Sequence, residues 1–183
     1  MKPPGKGILG LLLSLIFAQR YQSDSLIIRF YSDAPLEKIT AINSTGCQSW
    51  IDFSTDSVFV QVKIRAFRFP NKLMEEHFNE NYLESERYPY AYFRGKLVTP
   101  FPYTTSGTYA VSAQGFLEIH GVAHQRVVTG TFEVQPDGVL RLEGKCWVRP
   151  ADHKIKVPRF LWQKIAEVIE VTYQGFYSPI SAK

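Results

Sequence analysis

The chain has 183 residues, 45% of them apolar and 21% charged, with a formal charge of +4. That length bounds it to one domain with one substantial core; the composition excludes a disordered chain, and the lack of a second long apolar run excludes a polytopic membrane protein. Aromatic residues make up 14%, nearly all Phe and Tyr, which favours strands around a large apolar interior.

The first eighteen residues differ from the rest. Lys2 and Lys6 precede an apolar run from Ile8 to Phe17 broken only by Gly10 and Ser14, and Ala18 stands before the polar Gln19 and Arg20. A charged start, a short apolar core and a small residue before a polar switch form the pattern of a secretory signal peptide, well short of the ~20 residues that a spanning helix needs. Residues 1–18 therefore read as a signal cleaved near Ala18, leaving a single domain, 19–183, in the periplasm or secreted. Losing Lys2 and Lys6 halves the formal charge from +4 to +2, so the remaining chain is nearly balanced.

From Ser25 onward the pattern is mostly of period two. Leu26–Tyr31 is a short apolar strand ended by Ser32-Asp33-Ala34-Pro35, and Ile39–Asp52 carries a weaker strand pattern interrupted at Gly46. Val58, Val60, Val62 and Ile64 share one face of the next strand, after which Phe67 and Phe69 take over the apolar role. That slip of phase near Ala66 requires a bulge or bend. Pro70-Asn71 opens one helix, with Asn71 as N-cap, Glu75 and Glu76 in its early turns, and Leu73, Met74, His77, Phe78 and Tyr82 forming a stripe that predicts one buried face. Beyond Tyr88-Pro89, four strands alternate: Ala91–Leu97, Tyr109–Ile119, Val128–Val134 and Leu140–Val148, the last two joined by the turn Gln135-Pro136-Asp137-Gly138. Arg159–Ala166 reads as a short helical turn, and Val168–Phe176 is a closing strand. Eight short-spaced strands with one inserted helix are the signature of an all-β sandwich or barrel. Gly95, Gly115, Gly130 and Gly144 fall on the inferred inner face, where they either leave space for a ligand or permit strand coiling.

One family resembles these residues in order. Phe69-Pro70-Asn71 leading into Leu73-Met74-Glu75-Glu76-His77-Phe78, then Tyr82-Leu83-Glu84-Ser85 and Tyr88-Pro89-Tyr90-Ala91-Tyr92-Phe93, resemble the central signature of the YceI-like, polyisoprenoid-binding proteins. Gly115–Val122, Asp152–Pro158 and Ile165–Val171 follow in the expected order, and Ala123-His124 departs from the family's usual Thr and basic residue. The resemblance implies an extended, lipocalin-like, antiparallel eight-stranded β-barrel with one inserted α-helix and a short C-terminal helical turn. Its interior would hold a long-chain apolar lipid, an isoprenoid quinone or polyprenyl lipid, as carrier or sequestering module, with no cofactor, metal or nucleic acid. Strand and helix phase then nominate as ligand-lining Phe67, Phe69, Phe78, Tyr82, Phe93, Leu97, Leu117, Ile119, Phe132, Val134, Leu142 and Ile169.

The residues also leave rival readings. An enzyme acting on a cavity-bound apolar substrate would use His77 or Tyr82 for proton transfer, and a packed, ligand-free barrel would serve as an interaction module. His120 and His124 have metal-like spacing only on a helix; on a strand they lie ~13 Å apart. Cys47 and Cys146 carry no spacing signature, so a disulfide and two free thiols both fit. Arg149, Lys154, Lys156 and Arg159 form the densest basic run, which in an exported protein suits transient contact with a membrane surface or lipid phosphate. No nucleophile motif or phosphate loop is present.

Overall fold

A computed structural model describes residues 19–157 and 165–180. The signal segment lies outside the described residues, as does most of the short helical turn expected over 159–166. Ten strands run in chain order as β1 (Arg20–Ser23), β2 (Ile27–Asp33), β3 (Lys38–Asn43), β4 (Cys47–Asp52), β5 (Ser57–Lys63), β6 (Tyr90–Leu97), β7 (Gly107–Ile119), β8 (Val122–Val134), β9 (Leu140–Val148) and β10 (Ile169–Pro179). Every pairing is antiparallel, in the order β1-β4-β5-β6-β7-β8-β9-β10, and β1 pairs back onto β10. β2 continues β1 along the same β10 neighbour, and β3 pairs with β2 as β4 pairs with β1. Each couple is one stave broken once, so the barrel has the eight staves expected.

The breaks explain where sequence phase and structure part. Tyr21 and Ser23 face inward in β1, but Leu26 and Ile28 do so next, because the pairing with β10 slips by one residue across Asp24–Leu26. That slip inverts the alternation and hides β1 from a period-two reading that starts its first strand at Leu26. The phase change near Ala66 is resolved by a 3-10 turn at Ile64–Ala66, which ends β5 at Lys63 instead of Phe69. Beyond it Arg68 exchanges backbone bonds with Ile42 of β3 at 2.8 and 3.0 Å. β8 starts at Val122, six residues before the apolar alternation becomes visible, because its inward positions there are the polar His124 and Arg126.

One end of the barrel is packed solid. Tyr21, Ile51, Val111, Phe132, Val134, Leu140 and Tyr177 are buried there, with Phe53, Phe101 and Tyr103 against them. The Phe53 and Tyr103 rings stack at 4.0 Å, and those of Phe101 and Phe132 at 5.2 Å. Tyr177 keeps its hydroxyl satisfied inside this plug by donating to Ser49 Oγ at 2.8 Å, and Ser49 donates in turn to the Phe59 carbonyl at 2.9 Å.

The inner-face glycines sit opposite one another, Gly95 against Gly115 and Gly130 against Gly144. A Cβ on any of them would strike the backbone of the adjacent strand, so close strand approach is what requires glycine here. At three of the four a neighbouring side chain also lies across the bare Cα: Phe93 over Gly95, Leu142 over Gly130 and Tyr173 over Gly144.

The helix α1 (Lys72–His77) begins where the cap predicted it, with Asn71 Oδ1 accepting from Leu73 N at 2.8 Å. It widens into a single π turn at Phe78–Tyr82 and stops before Glu84, which takes φ +42°. The buried face expected for this helix is corrected: none of its residues is buried, Leu73 is 57% exposed and His77 is exposed. The stripe faces the mouth of a cavity rather than a filled core.

Candidate functional site

Opposite the plug, the barrel contains a cavity of about 860 Å³. Seven staves and the helix build it. β2 and β3 supply Ile28, Phe30 and Ile39; Val62 of β5 and Ala91 of β6 stand beside them; Leu117, Ile119, Cys146, Val148, Ile169 and Val171 complete the wall; and Met74, Phe78 and Tyr82 come from α1 and its π turn. Phe30, Phe67, Phe69 and Phe78 form an aromatic cluster under the helix, with ring centroids 5.0 to 5.6 Å apart. These edge, tilted and stacked contacts tie the helix to the β2 wall. Apart from the Tyr82 phenol and the buried Ser32, whose Oγ accepts from Ala166 N at 2.8 Å, the polar lining groups stand at the rim, where Glu37, Asn71, His77, Asn81 and Lys156 surround the opening. Below the main cavity lies a smaller chamber of about 150 Å³. The two share Ile28, Val62, Ala91, Leu117, Cys146 and Val171, which form the neck between them.

The residues nominated from alternation divide by height. Phe67, Phe69, Phe78, Tyr82, Ile119 and Ile169 line the main cavity, Leu117 lines both, and Phe93, Leu97, Phe132 and Leu142 line the lower chamber. Val134 points inward but belongs to the plug, where it is 3% exposed. Sequence reasoning missed the contributions of Phe30, Ile39, Met74 and Ile155. For Phe30 and Ile39 the signal was present as inward phase on β2 and β3; Ile155 sits in a loop with no period to read.

A polar clasp holds one side of the mouth. His153, at the end of the Pro150–His153 turn, is fully buried, and its Nδ1 donates to the Val122 carbonyl at 2.9 Å. His120 occupies the β7–β8 hairpin turn at φ +53°, followed by Gly121 at +70°, the pair of left-handed residues that a two-residue hairpin needs. Its Nδ1 donates to the His153 carbonyl at 3.2 Å, while its Nε2 stands 3.4 Å from Glu84. Arg126 pairs with Asp152, and the His124 and His153 rings meet edge to face at 5.3 Å. These contacts anchor the segment that leads to Ile155–Val157 at the cavity mouth. Burial holds the His153 imidazole below its ordinary value, and the nearby His124 and Arg126 act in the same direction. Three of the four histidines thus gather at one place, but among the described residues no three His, Cys, Asp or Glu side chains converge as metal ligands.

Burial pushes the Tyr82 phenol up, away from the range of a general base, and His77 lies exposed at the rim. Both cysteines are free thiols. Burial raises Cys47 to about 12 and Cys146, on the neck, to about 11 in spite of the Arg126 charge, so both remain protonated and weakly nucleophilic.

The family model of the YceI-like domain matches residues 38–175. No curated protein matches the chain. Among solved structures, a polyisoprenoid binding domain from Saccharophagus degradans, implicated in plant cell wall breakdown, is similar with a TM-score of 0.74 at 12% identity, covering 90% of this chain and 100% of that one. BcnA of Burkholderia cenocepacia gives 0.69 at 12% identity, over 84% of this chain and 96% of that one. The Campylobacter jejuni YCEI protein gives 0.55 at 14% identity, over 99% of this chain and 94% of that one. At such identities the likeness to these structures is one of fold.

Proposed function

Because the chain belongs to the YceI-like family, we propose that it is a binding protein, not an enzyme, which holds a long-chain apolar lipid of isoprenoid quinone or polyprenyl type inside the barrel. The observation that carries this reading is the cavity of about 860 Å³, walled almost wholly by apolar side chains and with its charged groups at the rim. Taking ~30 Å³ per methylene, about the share of a liquid water, that volume accommodates roughly 20–30 carbons. Burying ~20 methylenes gains about 16 kcal/mol, more than the ~4–15 kcal/mol that association costs, whereas ten would not clear that range. A tail enters past Phe78 and the head group stays at the rim, near Lys156 and Asn71. Rim groups of mixed type discriminate weakly among head groups, so tail length dominates selection. The N-terminal segment, with its signal-like pattern, supports a periplasmic or secreted carrier or sequestering module that meets a membrane surface briefly to load.

The test is to purify the protein, extract it with organic solvent and analyse the extract by mass spectrometry, then titrate the delipidated protein with a long-chain prenol. A co-purifying long-chain lipid, or saturable prenol binding, is expected. An empty extract together with no binding on titration overturns the reading.

A further inference from the structure

The lower chamber, about 150 Å³, ends on Phe132 and Tyr177, which are 2% and 1% exposed, and opens upward through the neck into the main cavity. Its openness depends on side chains held against the wall. Phe93, Leu142 and Tyr173 each lie across a glycine, where any Cβ would force them off the wall and toward the barrel axis. Tyr173 is also tied down by its hydroxyl, which donates to the Thr129 carbonyl at 2.6 Å. The Tyr177 hydroxyl is engaged by Ser49. With both phenols already paired, the chamber has no inward polar group that would retain water, and apolar hollows of this size stay dry. Ala113 adds only a methyl to the facing wall.

From this geometry we infer that the lower chamber seats the far end of the bound tail and gauges its length, admitting about five carbons, one isoprene unit, beyond the neck. The inference rests on the lipid-binding reading and adds to it the tail length at which binding stops improving. A tail that stops at the neck leaves the chamber empty and forgoes its contacts. One that reaches Phe132 and Tyr177 fills it, and a longer one must leave carbons outside the mouth, where they gain nothing.

A homologous series of linear prenols, differing by one isoprene unit and competed against a fluorescent fatty-acid probe, reads the gauge. Wild-type affinity should rise by about several hundredfold per unit until the chamber is filled and then level off. Ala113→Leu adds three carbons, occupies most of the chamber and should bring the plateau forward by one unit, whereas Val128→Leu adds one carbon and should only weaken binding of the longest tails. Leu142→Ala enlarges the chamber and should delay the plateau by one unit. Circular dichroism identifies the folded variants; if Ala113→Leu does not fold, the other two carry the test. Prenol binding with the same plateau in every folded variant overturns the gauge alone, while a wild-type protein that binds no prenol overturns the lipid-binding reading on which it rests.

Discussion

The division of the barrel into a packed end and a hollow end makes a paired prediction at two phenylalanines. Phe132 is 2% exposed in the plug, stacked on Phe101 and edge-on to Tyr177 at 5.8 Å. Truncating such a ring to Ala costs about 3–5 kcal/mol, from lost transfer energy and the cavity left among rigid neighbours. In a domain of this size each kcal/mol lowers Tm by ~2–4 °C, so Phe132→Ala should melt about 6–20 °C lower. Phe78 is only half-buried, with three rings on one side and the cavity on the other. Its removal forfeits contacts on one side alone and should cost about 1–2 kcal/mol of stability. In the bound state, however, it should re-expose roughly three ligand carbons, worth about 2–3 kcal/mol, or ~30–150-fold in affinity. Urea denaturation and competitive displacement of a fluorescent fatty-acid probe measure the two quantities separately. If Phe78→Ala proves as destabilising as Phe132→Ala, or leaves affinity unchanged, the helix is a structural cover and the cavity is not the binding site.

Three further predictions follow from the same geometry. Because burial holds His153 below its ordinary value of 6.5, the unfolded chain takes up a proton that the folded one excludes, so this group's contribution is full above about pH 6.5 and is lost as the pH falls through the folded value. His153→Asn keeps a donor for the Val122 carbonyl and should flatten that acid limb in urea midpoints measured against pH; identical slopes in both proteins would refute the assignment. At pH 8 the Cys146 and Cys47 thiols should react with a disulfide reagent roughly a hundredfold and a thousandfold more slowly than an ordinary cysteine, and both should become fast in denaturant; a rapid native phase from either would contradict their burial. Gly115→Ala places a methyl against the Arg94 carbonyl and the Gly95 Cα, both backbone, and should destabilise by about 1–3 kcal/mol or more, whereas Gly138→Ala, in open space but at φ +83°, should cost only about 1–2 kcal/mol of backbone strain. Equal midpoints for wild type and Gly115→Ala would show that the strands separate freely there.

Alternation by itself determined most of the barrel. Val58-Val60-Val62, Ala91-Phe93-Gly95-Leu97 and Leu140-Leu142-Gly144-Cys146-Val148 are inward as their period requires, because successive side chains on a strand must point to opposite faces. The helix start was legible too, since Asn71 is a local cap that needs no distant partner. What period two does not encode is height along the barrel axis. Val134 and Ile119 have the same inward signature, yet one is sealed in the plug and the other lines the cavity, because strand stagger decides which rings from distant strands meet them. Nor does it encode partners for inward polar groups. His124 and Arg126 broke the apparent start of β8 because Asp152 and His153, which neutralise and cover them, arrive only through the tertiary fold. The sequence thus determined which side of the wall each residue occupies, and the closing of the barrel decided which of the inward residues pack against one another and which surround a space.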